Sequence, residues 1–274
     1  MIQSMRPLGL VLALLLIGLG AAGCDSNTSS DPEAPPVLEP DAFAFEADTF
    51  PETNDENTAV QPKAGTNVAV AATSVGVLST VIAANLVIPR AVTAAALEAD
   101  PTVEDGTWIW RSSTRAEGTA VEFRLEGTPD GDRVRWRMFV TATNPNGTPS
   151  LDNFELYTAE TLLNSEVGRW SLYYPIEGER RNVLDATYDL EGNRDEIRFS
   201  VADGARRDVG DTVLYTEEST TRSVVYTQVE PEREAIIEWD AETKAGFIQA
   251  PNYRDGVTSC WGPAPELANV ECSR

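Results

Sequence analysis

From Thr107 onward, apolar and polar residues alternate with a period of two in short segments rich in Val, Ile, Thr and aromatics. Gly, Pro, Asn and Asp punctuate the segments. This pattern predicts half-buried strands near Thr107–Ser112, Ala120–Glu126, Arg133–Thr141, Asn153–Thr161, Gly168–Tyr174, Val183–Glu191, Glu196–Ala202, Thr212–Glu218, Ser223–Gln228, Ala235–Asp240 and Ala245–Gln249. Parallel neighbours would need long crossovers, so strands this closely spaced form an antiparallel meander. Around the turn cluster Gly127–Asp132, symmetric folding sets Leu125 against Val134, Phe123 against Trp136 and Val121 against Met138 on the core face. The other face then pairs Glu126 with Arg133, Arg124 with Arg135 and Glu122 with Arg137. Those charges read as a solvated cross-strand ladder, with a basic stripe for an anionic ligand as the sharper alternative. Trp170, Leu172 and Tyr174 share one face, as do Ile197, Phe199 and Val201.

Ahead of the strands the period changes. No charge lies between Lys63 and Arg90. There Ala71, Val75, Leu78, Ile82 and Leu86 recur at helical spacing, so a helix is expected over Asn67–Asn85. Its interrupting Asn, Ser and Thr argue for burial against protein over most of its circumference rather than for a membrane span. Pro89 is expected to kink or end it, with a second short helical piece over Ala91–Ala99. A sheet this wide curls, and its concave side needs filling. The fold class expected is mainly β: about ten or eleven antiparallel strands in a curved sheet or open barrel, with the apolar helix packed on it. The boundaries are residues 67–104 for the helical segment and 105–274 for the meander.

The N-terminus reads as an export signal over residues 1–23: Arg6, the apolar run Leu8–Leu19, then Gly20–Gly23 before Cys24. Ala21-Ala22-Gly23-Cys24 resembles the lipobox of bacterial lipoproteins cut by signal peptidase II. That resemblance implies a lipid on Cys24, a membrane anchor through it, and a place in the bacterial cell envelope, on the inner or outer membrane. Residues 24–66 follow as an acidic, proline-rich tether, whose composition cannot offset its ordering entropy. With Cys24 lipidated in an exported chain, Cys260 and Cys272 remain to form a disulfide. Anchor, helix and strand count together are similar in outline to the half-barrels of the periplasmic LolA/LolB lipoprotein carriers.

Charge and composition narrow the function. Against 44 Asp and Glu stand 21 Lys and Arg, a net charge of −23, and His is absent. So negative a field repels phosphate backbones, which excludes a nucleic-acid partner. Without imidazole there is no Ser-His-Asp or Cys-His triad and no usual zinc site. Asp130-Gly131-Asp132 and the acids Asp203, Asp208 and Asp211 read as turn residues before calcium ligands. No cofactor is expected. Three functions compete. The first is a structural or interaction role with an envelope protein partner, presenting aromatics such as Tyr173 and Tyr226. The second is a carrier for a lipid or other apolar ligand, held by Val75, Leu78, Ile82, Phe123, Trp136 and Trp170 between helix and sheet. The third is a hydrolase working through paired carboxylates.

Overall fold

A computed structural model describes residues 34–35, 66–116, 118–163, 166–205 and 207–272; Cys24 and nearly all of the expected tether lie outside them. Among the described residues fourteen strands follow one helix, in a single antiparallel sheet whose spatial order is the chain order. After α1 (Asn67–Leu97) come β1 (Thr102–Glu104), β2 (Thr107–Ala116), β3 (Thr119–Asp130), β4 (Arg133–Thr143), β5 (Pro149–Leu162), β6 (Val167–Ile176) and β7 (Glu179–Asp189). The second half holds β8 (Arg194–Val201), β9 (Thr212–Glu218), β10 (Thr221–Gln228), β11 (Arg233–Asp240), β12 (Gly246–Gln249), β13 (Ser259–Trp261) and β14 (Asn269–Val270). All eleven expected strands are present. The three additional ones, β1, β13 and β14, have only two or three residues each, too few for alternation to register.

α1 touches β2 and β3 near one end of the sheet and β12 and β13 near the other. One helix can reach both ends only because the sheet curls around it; β1 and β14 do not pair, so the barrel stays open. Val68, Ala71, Val75, Ile82 and Leu86 form the buried stripe of α1. The rest of the concave space is filled by bulk: all six tryptophans, Trp108, Trp110, Trp136, Trp170, Trp239 and Trp261, are buried on the core. Leu172, Ile197, Phe199 and Tyr215 add to them. Ala34 also packs against this core, and Pro35 is buried.

Two expectations about α1 need correction. The helix does not stop at Asn85 but runs on through Pro89 to Leu97 as one element, taking in most of the separate helical piece expected over Ala91–Ala99. Proline removes one backbone donor, a local loss, and the segment beyond it is fastened to the sheet. Thr93 is buried with its hydroxyl 3.3 Å from that of Tyr157 on β5. Nor is the helix buried over most of its circumference: Val77 and Val81 are more than half exposed. Among the described residues no helix is long and apolar enough to cross a membrane.

The β3–β4 hairpin has the expected faces in a different register. Leu125 pairs with Met138, Phe123 with Val140 and Val121 with Ala142, a slip of four residues from symmetric folding about the turn cluster. Only Gly131 and Asp132 form the turn, since Asp130 pairs with Arg133. An even slip keeps every side chain on its own face, and Leu125, Val134, Trp136 and Met138 are all buried. The turn is tight because Gly127 belongs to β3: it lies opposite Trp136, and a Cβ there would come within 2.7 Å of the indole. On the outer face Arg137 joins Glu155 at 2.6 Å and Glu126 at 3.8 Å, and Arg180 joins Glu155 at 2.5 Å. Phe139 lies under the guanidiniums of Arg124 and Arg137, at 4.4 and 4.7 Å from its ring centre. Each arginine named in these pairs has a carboxylate partner, the arrangement of an ion ladder.

Candidate functional site

A groove of about 420 Å³ separates the first turns of α1 from β10, β11 and β12. Its size falls within the roughly 300–1,000 Å³ of small-ligand pockets. From the helix come Val70, Thr73, Ser74, Val77 and Leu78, a four-residue-spaced strip beside the buried stripe. From the sheet come alternate residues of neighbouring strands, as a pleat requires: Val224 and Tyr226 on β10, Ile237 and Ala235 on β11, Ile248 on β12. The Ala250–Tyr253 turn closes one side.

Its polar lining is largely committed elsewhere. Thr73 and Ser74 donate to the helix carbonyls of Ala69 and Val70, at 2.8 and 2.9 Å. Tyr226 donates its hydroxyl to Asp211 at 2.5 Å, and the same buried carboxylate accepts from the Val229 N–H at 2.9 Å. Burial pushes the Tyr226 phenol well above its ordinary range, and the Asp211 acceptor pushes the same way, so it stays a neutral donor. The wall facing a ligand is therefore apolar with its hydroxyls turned away.

Asn67 fixes the helix end of this wall. It is 1 % exposed, at the first position of α1. Its side-chain amide donates to the Cys260 carbonyl at 2.6 Å, and its Oδ1 accepts from the Tyr253 hydroxyl at 2.7 Å. Its backbone N–H, one of the donors a helix leaves unpaired at its start, donates to Asn269 Oδ1 at 2.8 Å. Cys260 and Cys272 are joined as a disulfide that closes the segment carrying Asn269.

Of the residues expected to hold a ligand, Leu78 lines the groove. Val75, Ile82, Trp136 and Trp170 are buried in the core, and Phe123 packs against it partly buried. The structure thus brings helix and sheet residues together, with the opening displaced toward β10–β12. Periodicity cannot tell which part of an inward face is filled, so the sequence pointed to the largest side chains. Those are the ones that fill space. Tyr226, expected as a partner-facing aromatic, is a groove wall. Tyr173 carries the Arg180 guanidinium 3.4 Å from its ring centre.

A second cavity, about 350 Å³, lies at the ends of β4–β8. Glu160 sits there between Arg133 and Arg169, the latter at 3.1 Å. Their hydrogen bonds, Arg133 first, hold its carboxyl below the ordinary range. Asp130 and Asp132 pair with Arg135 and Arg133. Among the described residues no three Cys, Asp or Glu side chains gather as metal ligands. Compared with protein-family models, with curated proteins and with solved structures, the chain matches none of them.

Proposed function

We propose that this chain is a carrier or binding protein of the bacterial cell envelope, anchored by a lipid on Cys24, that holds an apolar ligand between α1 and the curved sheet. The observation carrying this reading is the apolar groove between α1 and β10–β12. A helix serving purely as core would leave no such opening beside its buried stripe. The interaction reading has its own support in the exposed side of α1 at the groove rim, where Val77, itself a groove-lining residue, and Val81 stand exposed in a stretch without charge. An envelope protein partner would dock there. The hydrolase reading needs a carboxyl held above its ordinary range. Among the described residues the two carboxylates with resolved shifts, Glu160 and Asp240, are both held below it, the opposite of what that reading needs.

Native mass spectrometry on the chain released from its own host's envelope tests the proposal. The expected result is an adduct of lipid mass that disappears in Ala235→Trp, which fills the groove, while the melting temperature stays near that of the parent. A bare mass in the parent protein refutes the carrier reading. Cys24→Ser should move the protein out of the membrane fraction; unchanged partitioning refutes the anchor.

A further inference from the structure

Backbone pairing leaves part of one strand open. Asp105 and Gly106 join β1 to β2 with φ of 50° and 78°, a two-residue turn of the mirror-image kind that closes hairpins. Its flanking residues Glu104 and Thr107 pair, so Thr107 turns its backbone N–H and C=O toward β1, and every second residue of β2 points the same way. The next turn agrees: Ala116 pairs with Thr119, which turns the even-numbered residues of β2 toward β3. β1 ends at Thr102, opposite Ile109. Beyond it the backbone groups of Arg111, Ser113 and Arg115 point out of the sheet, and no strand pairs with them among the described residues. All three residues are exposed. Their side chains stand on the face opposite to that of buried Trp110. Arg111 holds Glu104 of β1 at 3.0 Å, whereas Arg115 lies opposite Ala120 on β3 and has no carboxylate partner among the described residues.

We propose that an extended acidic segment of an envelope protein partner adds to this edge as a strand in line with β1. The inference stands apart from the groove and holds whether or not the groove is filled. An open edge is a template for pairing, and an added strand draws affinity from its main chain and specificity from alternate side chains. β1 supplies the pattern, since its acid Glu104 sits on the first arginine of the row. In an antiparallel strand continuing β1, the residues opposite Arg111, Ser113 and Arg115 share the arginines' face. An acid opposite Arg115 gives it the partner that β3 lacks. A second copy of the chain fits badly. Two-fold pairing about Ser113 sets Arg111 of one copy against Arg115 of the other, and like charges directly opposite are destabilising. The edge thus repels itself and accepts the opposite sign.

Fluorescence anisotropy on the full chain, with labelled heptapeptides that alternate Glu with Val or Lys with Val, tests this. The Glu peptide should bind about tenfold tighter than the Lys peptide, the worth of one charge-assisted contact. R115E should reverse that preference. S113P removes an N–H that faces the open edge and spares the ladder to β3, so Glu-peptide binding should fall about tenfold while the melting temperature stays near that of the parent. Methylating the Glu amides of the peptide, which face β2 in this register, should abolish binding, and methylating the Val amides should not. Equal binding of the two peptides, or binding that S113P and Glu-amide methylation leave unchanged, overturns the proposal. A parent that binds neither peptide overturns it as well, including the case in which its own acidic residues 24–66 hold the edge. So does a parent that sediments as a dimer and returns to monomer in S113P, because the edge would then serve a second copy.

Discussion

Asn67 offers the sharpest test of how helix and sheet are joined. Asn67→Ala removes two side-chain hydrogen bonds, to the Cys260 carbonyl and from the Tyr253 hydroxyl, at a position 1 % exposed. Each is worth about 0.5–1.5 kcal/mol net, and a partner left unsatisfied in a part-buried site adds to the loss, for about 2–3 kcal/mol in all. In a domain of this size that lowers the melting temperature by about 4–12 °C. Asn67→Asp discriminates the cause. An acid at a helix start gains about 0.3–1 kcal/mol from the helix dipole, and it keeps the acceptor for Tyr253. It also turns an oxygen toward the Cys260 carbonyl where a donor now stands at 2.6 Å. If the latch matters as argued, Asn67→Asp is less stable than the parent despite the dipole. Thermal unfolding by circular dichroism at neutral pH reads both variants. An Asn67→Asp protein that melts with the parent or above it refutes the argument, because the donor to Cys260 would then contribute nothing.

Three further predictions follow from single features. Gly127→Ala puts a methyl 2.7 Å from the Trp136 ring and should cost about 1–3 kcal/mol of overpacking, read as a shift in denaturation midpoint; an unchanged midpoint would mean that the indole yields freely. Replacing Cys260 and Cys272 together by Ser should cost up to about 3 kcal/mol and speed amide exchange at Asn67, whose backbone N–H is held by Asn269 in the closed loop; unchanged exchange there would uncouple the loop from α1. Asp240 accepts from the Thr220 hydroxyl at 2.5 Å and the Thr243 N–H at 2.6 Å, and these bonds lower its carboxyl from 3.8 to about 2. A carboxyl depressed in the folded state stabilises above its ordinary value, and that contribution is lost as pH falls toward about 2. Stability measured across that window should drop in the parent and flatten in Asp240→Asn.

Much of the fold was legible because period two is a property of neighbouring residues. Trp170 and Leu172, and Ile197 and Phe199, land on the buried face as alternation predicts. Register was not legible in the same way. Gly127, Thr128 and Pro129 look like turn residues one by one, yet Thr128 pairs with Arg135 and Pro129 with Val134 inside the ladder. The continuity of the helix was hidden for a related reason: Pro89 is a local signal to kink or stop, while the Thr93–Tyr157 contact that holds the helix beyond it joins residues 64 apart.

What alternation could not reveal is how a sheet of fourteen strands closes over one helix, and three glycines answer it. Gly127 pairs with Trp136, Gly168 with Tyr188 and Gly246 with Trp261, each across neighbouring strands. In all three a Cβ would collide with the partner's aromatic side chain, so the aromatic lies flat on bare backbone, a pairing that also shields the glycine. Flat rings occupy area instead of depth. They let strongly bent strands approach without a second layer filling the concave side. In the groove, by contrast, Val224, Ala235, Ile237 and Ile248 present aliphatic side chains between Tyr226 and Tyr253. No tryptophan lies among its lining residues. The cavity is thus a consequence of residue volume. Enlarging Ala235 should therefore close it more readily than any change in the tryptophan-filled core, and binding lost without stability lost is the signature that separates a ligand site from a packing defect.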